Sequence, residues 1–264
     1  MSPVRKWGAG PYPVAVIHGG PGAPGEMASV ARELSSVKGI LEPLQTETTL
    51  DGQVRELMQV LERDGMPPVT LVGFSWGAFL SWMVAARYPA LVKKLILVGC
   101  PPFEDQYAQA ITKTRLDRLK PEERRQAQDV MATLENPGDA QAGTDRDLLL
   151  GQLGGLLSHA DTCDAFAAAD NPSFYCQYDV FKGVWDEACE LRRAKILLAM
   201  GQKIACPVLA IHGDYDPHPA EGVEVPLEKN VKNFRFVLLK KCGHRPWIER
   251  NASEEFYRIL VEEI

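Results

Sequence analysis

The chain has 264 residues, 45% of them hydrophobic and 24% charged, which is too apolar for a disordered chain and long enough for one large α/β core with an insertion. Its net charge of -6 comes without a basic cluster, which argues against nucleic acid as a partner. No apolar run reaches the roughly 18 residues of a membrane span, and residues 1–10 lack the apolar stretch of a signal peptide, so the expectation is a cytoplasmic protein with no membrane partner.

The first apolar run, residues 13–18, is continuous and leads into His18-Gly19-Gly20-Pro21-Gly22. A second run follows at 39–44. Residues 52–64 then place Val54, Leu57, Met58 and Leu61 on one helical face. Run 69–74 is followed by an Ala- and aromatic-rich helical stretch, 75–88, which stops before Pro89, and run 95–99 comes next. Continuous rather than alternating runs suit strands covered on both faces, and strand alternating with helix implies right-handed parallel crossovers.

That alternation breaks over residues 101–202. No strand is predicted there, but two helical patterns are: Ala127, Val130, Met131, Leu134, and Leu149, Leu150, Leu153, Leu156, Leu157, with a turn at Asn136-Pro137-Gly138 between them. Strand runs resume at 207–212 and 234–239. The predicted fold is α/β: a doubly wound, mostly parallel sheet of about six strands, with a helical lid inserted after the fourth parallel strand. The core takes residues 1–100 and 203–264, and the lid 101–202.

Gly73-Phe74-Ser75-Trp76-Gly77 is a G-x-S-x-G sequence between a strand run and a helix pattern, the setting of a sharp turn that lifts a serine hydroxyl clear of a sheet. With nine serines and 22 glycines in the chain, roughly 0.06 chance occurrences are expected. An attacking serine needs donors for the oxyanion it creates. The N–H of Trp76, next to the nucleophile, is one candidate, and the N–H of Gly20, after the first strand, is the other.

A serine also needs a base, and imidazole is the best matched near neutrality. The histidines are His18, His159, His212, His218 and His244. In the order Ser, acid, His, the base follows the last strand, where only His244 stands. The acid follows a late strand, in His212-Gly213-Asp214-Tyr215-Asp216-Pro217. Asp216, a turn beyond the strand end, is preferred over Asp214, which is read as structuring its loop. His18 is read as bracing the first loop. His212, Asp214, Asp216 and His218 lack a zinc-site context, and the six cysteines (Cys100, Cys163, Cys176, Cys189, Cys206, Cys242) form no C-x-x-C pair. No metal or cofactor is expected, and the thiols are read as reduced and structural.

Together these residues resemble the α/β-hydrolase superfamily over essentially the whole chain. Within it, His18-Gly19-Gly20-Pro21-Gly22 and Ser75-Trp76-Gly77 are similar to the prolyl aminopeptidase group and its esterase-like relatives. Where prolyl aminopeptidases usually carry an Asp-Gln-Arg-Gly type turn, this chain reads Leu41-Glu42-Pro43-Leu44-Gln45-Thr46-Glu47-Thr48. About a dozen residues precede the first parallel strand, leaving little space for the antiparallel hairpin common in the superfamily.

The expected function is a serine hydrolase acting on a small ester, or an amide, through an acyl-enzyme. The alternatives are a prolyl-type aminopeptidase and, from another class, a non-catalytic receptor on the same fold. Phe103, Tyr107, Phe166, Phe174, Tyr175, Tyr178, Phe181 and Trp185 are candidates to line the pocket with Trp76, two or three of them touching substrate. An aminopeptidase would need a carboxylate facing the serine, for which Glu104, Asp105, Asp179, Asp186 and Glu187 are available.

Overall fold

A computed structural model describes residues 3–135, 145–166 and 176–264. The strands β1 (Val4–Trp7), β2 (Val14–Ile17), β3 (Ile40–Pro43), β4 (Val69–Phe74), β5 (Val92–Val98), β6 (Val208–Gly213) and β7 (Phe234–Leu239) form one sheet in the order β1-β3-β2-β4-β5-β6-β7. β2 to β7 are parallel to one another, matching the six apolar runs.

The seventh strand corrects the count. β1 pairs antiparallel with β3, Val4 opposite Pro43 and Trp7 opposite Ile40. At four residues on the sheet edge, two of them charged (Arg5 and Lys6), it has no apolar run to betray it. It is held by pairing and by Trp7, whose Nε1 donates to the buried carboxylate of Glu42 at 2.9 Å.

In chain order the helices among the described residues are α1 (Ala28–Leu34), α2 (Leu50–Asp64), α3 (Trp76–Arg87), α4 (Asp105–Ala108), α5 (Ile111–Arg118), α6 (Pro121–Glu135), α7 (Arg146–Ala160), α8 (Tyr178–Arg193), α9 (Ile196–Ala199), α10 (Glu221–Asn230) and α11 (Ser253–Glu263). Alternate strand residues point to opposite faces, and both faces are covered. Val14 and Val16 pack with Val30 and Leu34 of α1 and Phe256 and Leu260 of α11. Ala15 and Ile17 pack with Leu57 of α2 and Phe79 of α3. An uninterrupted apolar run therefore costs β2 nothing in exposed surface.

Helices α4 to α9 all lie between β5 and β6, the fourth and fifth parallel strands. The two patterns read from sequence appear as α6 and α7; α5 and α8 were not anticipated. The predicted turn at Asn136-Pro137-Gly138 lies outside the described residues. Among the described residues no helix is long and apolar enough to cross a membrane.

The chain steps from β2 outward to β3 and then back across to β4, so β2 and β4 are neighbours in the sheet. At such a switch point the loops leaving the two strand ends separate, and a crevice opens between them. The loops that leave here are His18–Gly22 and the turn at Ser75.

Candidate active site

Ser75 has φ 49° and ψ −116°, the left-handed side of backbone space that a β-carbon disfavours. Two glycines make the turn possible. A β-carbon on Gly77 would stand 2.5 Å from the carbonyl oxygen of His18 and closer still to that of Ile17, and one on Gly73 would run into the carbonyl of Gly77. The turn is thus wedged between β2 and the start of α3. Ser75 lines a cavity of about 490 Å³ together with Gly20, Trp76, His218 and His244.

His244 is held on every side. Its Nδ1 donates to Asp216 Oδ2 at 2.7 Å, and its main-chain N donates to the carbonyl of Asp161 at 2.8 Å. Its ring packs against Phe74 at 4.8 Å and His218 at 4.6 Å between centroids. Gly99 leaves the space it fills: that residue has φ +51°, and a β-carbon there would stand 3.0 Å from His244 Nδ1. Gly99→Ala is expected to displace the imidazole and the main chain of His244, whose carbonyl oxygen the new β-carbon would approach to 2.9 Å, and to lower the melting temperature. A circular-dichroism melt checks this, and an unchanged melt would remove Gly99 from the argument.

The Asp216 side chain is wholly buried. Burial alone would raise its carboxyl, but the surrounding imidazoles of His244, His218 and His212 outweigh that and hold it well below the usual carboxylate range. It is ionised near neutrality, with one oxygen for each of two histidines: Oδ1 accepts from the N and Nδ1 of His218 at 2.9 and 2.7 Å, and Oδ2 from His244. The side-chain atoms of Asp216, His218 and His244 that could ligate a metal lie within 4.8 Å of one another, drawn together by these hydrogen bonds. Asp214 is elsewhere, accepting from Cys242 N at 3.3 Å and facing Lys240.

His18 is buried under the first loop, with Nδ1 2.7 Å from the carbonyl of Gly19 and Nε2 accepting from Gln45 N at 3.4 Å. Burial pushes it down to about 4, so it is neutral near pH 7, and the two contacts assign its proton to Nδ1. His159 is exposed beside Glu123.

Gly20 has φ +42° and lines the same cavity as Trp76 at the start of α3. The N–H of Trp76, at the first position of that helix, has no intrahelical acceptor. The Trp76 indole is occupied separately, donating to Gln53 Oε1 at 3.0 Å.

The rest of the cavity has an apolar wall and a charged end. Trp76, Phe181, Trp185 and the α7 leucines Leu150, Leu153 and Leu157 form the wall. Phe103 is instead core, packed on Phe79 and Trp82, Tyr178 sits in a small cluster with Leu150 and Cys176, and Phe166 lies under Arg250. Phe174 and Tyr175 lie outside the described residues, and Tyr107 is not in the lining.

None of the five carboxylates named from sequence lines the cavity. Asp105 pairs with Arg192, Asp186 with Lys182, and Glu187 accepts from Leu50 N. The charged end is built by Glu26, Arg245 and the pair Arg115–Asp161, joined through Nε and Nη2 at 2.7 and 2.8 Å. Burial pushes the Glu26 carboxyl up, against the pull of Arg245 and His244.

A further support had no sequence signal. Glu249 is wholly buried, and its carboxylate accepts from the main-chain N–H groups of Gly243, Cys163 and Asp164 at 2.9, 2.8 and 2.7 Å. It staples the histidine loop to the segment between β5 and β6. None of the six cysteines forms a disulfide; Cys176 lines the cavity, and burial pushes its thiol up to about 12.

A family model described as "alpha/beta hydrolase fold" matches residues 38–250. Among curated proteins, the chain is 24% identical over 275 residues to a proline iminopeptidase of Heyndrickxia coagulans, covering 95% of this chain and 90% of that one. It is 30% identical over 57 residues to epoxide hydrolase 4 of Mus musculus, a match spanning 22% of this chain and 16% of the relative's length. Among solved structures, VinJ superposes with a TM-score of 0.71 at 18% identity, covering 98% of this chain and 93% of that one. An esterase of Exiguobacterium antarcticum superposes with a TM-score of 0.63 at 20% identity, covering 98% and 94%.

Proposed function

The chain belongs to the α/β-hydrolase fold family, and on that premise we propose that it is a serine hydrolase, independent of any cofactor, that cleaves a small ester through an acyl-enzyme. Ser75 is the nucleophile, His244 the base and Asp216 the acid that orients it. The observation that carries this reading is the 2.7 Å hydrogen bond from His244 Nδ1 to a wholly buried carboxylate, in the cavity that the strained Ser75 turn faces.

With Nδ1 spent on Asp216, Nε2 is the nitrogen that takes the Ser75 proton as Oγ attacks the carbonyl carbon. The N–H groups of Trp76 and Gly20 receive the oxyanion. Collapse breaks the ester bond, and the alcohol leaves with the proton from Nε2. Water then attacks the acyl-enzyme by the same steps, and the acid is released. Asp216 stabilises the imidazolium without taking its proton. The helices between β5 and β6, within residues 101–202, serve as the lid over a core of residues 1–100 and 203–264, and their apolar wall takes the acyl chain.

One observation favours a second reading. The Glu26 carboxylate at the charged end of the cavity suits a substrate ammonium, so an aminoacyl amide, as a prolyl-type aminopeptidase would cleave, is the other substrate to test. Labelling of the wild type by a fluorophosphonate, followed by turnover of short acyl esters and aminoacyl amides, decides between them. Ester turnover alone supports the first, and turnover confined to amides with a free amine supports the second. A folded protein that is not labelled and turns over neither would sink both.

A further inference from the structure

Asp216 serves two imidazoles, and the second has no part in the reaction just described. His218 is 6% exposed, lines the same cavity as Ser75 and His244, and gives both its main-chain N–H and its ring to Asp216 Oδ1. It is itself fixed from behind, because the Nε2 of buried His212 donates to its carbonyl at 2.8 Å. Hydrogen bonds thus join His212 to the His218 carbonyl, His218 to Asp216 and Asp216 to His244, and His212 Nε2 also stands 3.6 Å from Asp216 Oδ2.

We propose that His218 is a positioning residue of the triad: its two N–H groups hold Oδ1 of Asp216, so that Oδ2 is presented to His244 in one orientation and with its negative charge shared. The inference rests on the serine-hydrolase reading for its catalytic consequence, and on geometry alone for the hydrogen-bond chain.

A carboxylate can turn about its last side-chain bond, and a single partner on one oxygen leaves that rotation loosely controlled. Two donors on Oδ1 remove the freedom. They also draw charge away from Oδ2, so Asp216 supports a positive His244 less strongly than an unshared carboxylate would. Burial pushes His218 itself down to about 4, against the pull of Asp216, so it acts near neutrality as a neutral donor. The other groups facing this cluster are Arg115, already bound by Asp161, Glu26 beside His244, and the buried thiol of Cys100, which is raised far beyond titration near neutrality.

His218→Phe keeps the ring and removes its N–H. It is expected to lower kcat for a short acyl ester about tenfold at unchanged KM, and to move the acid limb of kcat/KM to higher pH by about half a unit. The proton between His244 Nδ1 and Asp216, read far downfield by NMR, should move further downfield, because a carboxylate that keeps only the main-chain N–H of residue 218 on Oδ1 is a stronger acceptor than one that holds the ring N–H as well. His218→Asn places an amide N–H where Nδ1 stood and is expected to restore all three readouts. A residue that merely supports the fold would change the melting temperature and leave the acid limb and the downfield proton in place.

The proposal is overturned if His218→Phe leaves both where the wild type has them, or if His218→Asn behaves like His218→Phe. Should His218→Phe not fold, His218→Leu against His218→Asn makes the same comparison. Failure of the hydrolase reading looks different: the wild type is neither labelled nor active, while the downfield proton still reports on His218.

Discussion

Ser75→Ala is expected to abolish fluorophosphonate labelling and to lower kcat by on the order of 10⁵-fold, with KM little changed. On the proposed mechanism the hydroxyl makes the bond that the reaction turns on, whereas the apolar wall proposed to take the acyl chain is untouched. The melting temperature should be retained, because Ser75 owes its conformation to Gly73 and Gly77 rather than to its own side chain. His244→Ala should fall to a similar level, and the double variant no lower. Groups that act as one unit are lost once, so the second deletion has nothing left to remove. If the two losses multiplied instead, Ser75 and His244 would be acting independently, and the triad reading would fail.

Gly77→Ala is the second large effect, and it falls on stability. The new β-carbon would press on the carbonyl oxygens of Ile17 and His18. Both belong to the backbone at the end of β2, in the middle of the sheet, and neither can move as a side chain end would. Overpacking against backbone is expected to cost about 3 kcal/mol, lowering the melting temperature by roughly 6 to 12 °C in a chain of this size. Gly20→Ala is the control. Its β-carbon would meet only the Ala23 side chain, at 3.2 Å, although φ there is +42°, so about 1 kcal/mol is expected. Thermal melts of the two variants check the ranking, and equal melting temperatures would show that the elbow is not wedged as described.

The two expectations concern the same turn from two sides. Backbone strain at Ser75 is tolerable because the glycines on either side let β2, β4 and α3 close around it. The same closure brings Trp76 to the cavity wall. A turn that relaxed would lose the hydroxyl's position and, on the proposed mechanism, an oxyanion donor together.

Much of this fold is legible in the chain itself. Six apolar runs became six parallel strands; the interior ones, such as β2, β4 and β6, are buried throughout because a strand covered on both faces must be apolar throughout, whereas β7, at the sheet edge, tolerates the exposed Arg235. The elbow was legible for a related reason: its glycines are demanded by backbone contacts a few residues away, so the requirement is written locally. That His244 and Asp216 would meet, as their hydrogen bond shows, could be read from their places after late strands, since parallel topology delivers the C-terminal ends of the parallel strands to one edge of the sheet.

What was not legible depends on residues far apart in the chain. β1 carries two charges in four residues and exists by virtue of an edge that β3 offers 33 to 39 positions later. Glu249 reads as one more polar residue near the C-terminus, and only folding brings Cys163 and Asp164 to it. The acids of the charged end, Glu26 and Asp161, were not those that their place in the sequence recommended: of the five named candidates, Asp105 and Asp186 found cations and Glu187 a backbone donor elsewhere, and none lines the cavity. The sharing of Asp216 between His218 and His244 is of the same kind: the spacing Asp216-Pro217-His218 is visible to anyone, but which imidazole meets which oxygen is settled by the arrival of the loop after β7, a tertiary contact with no local signature.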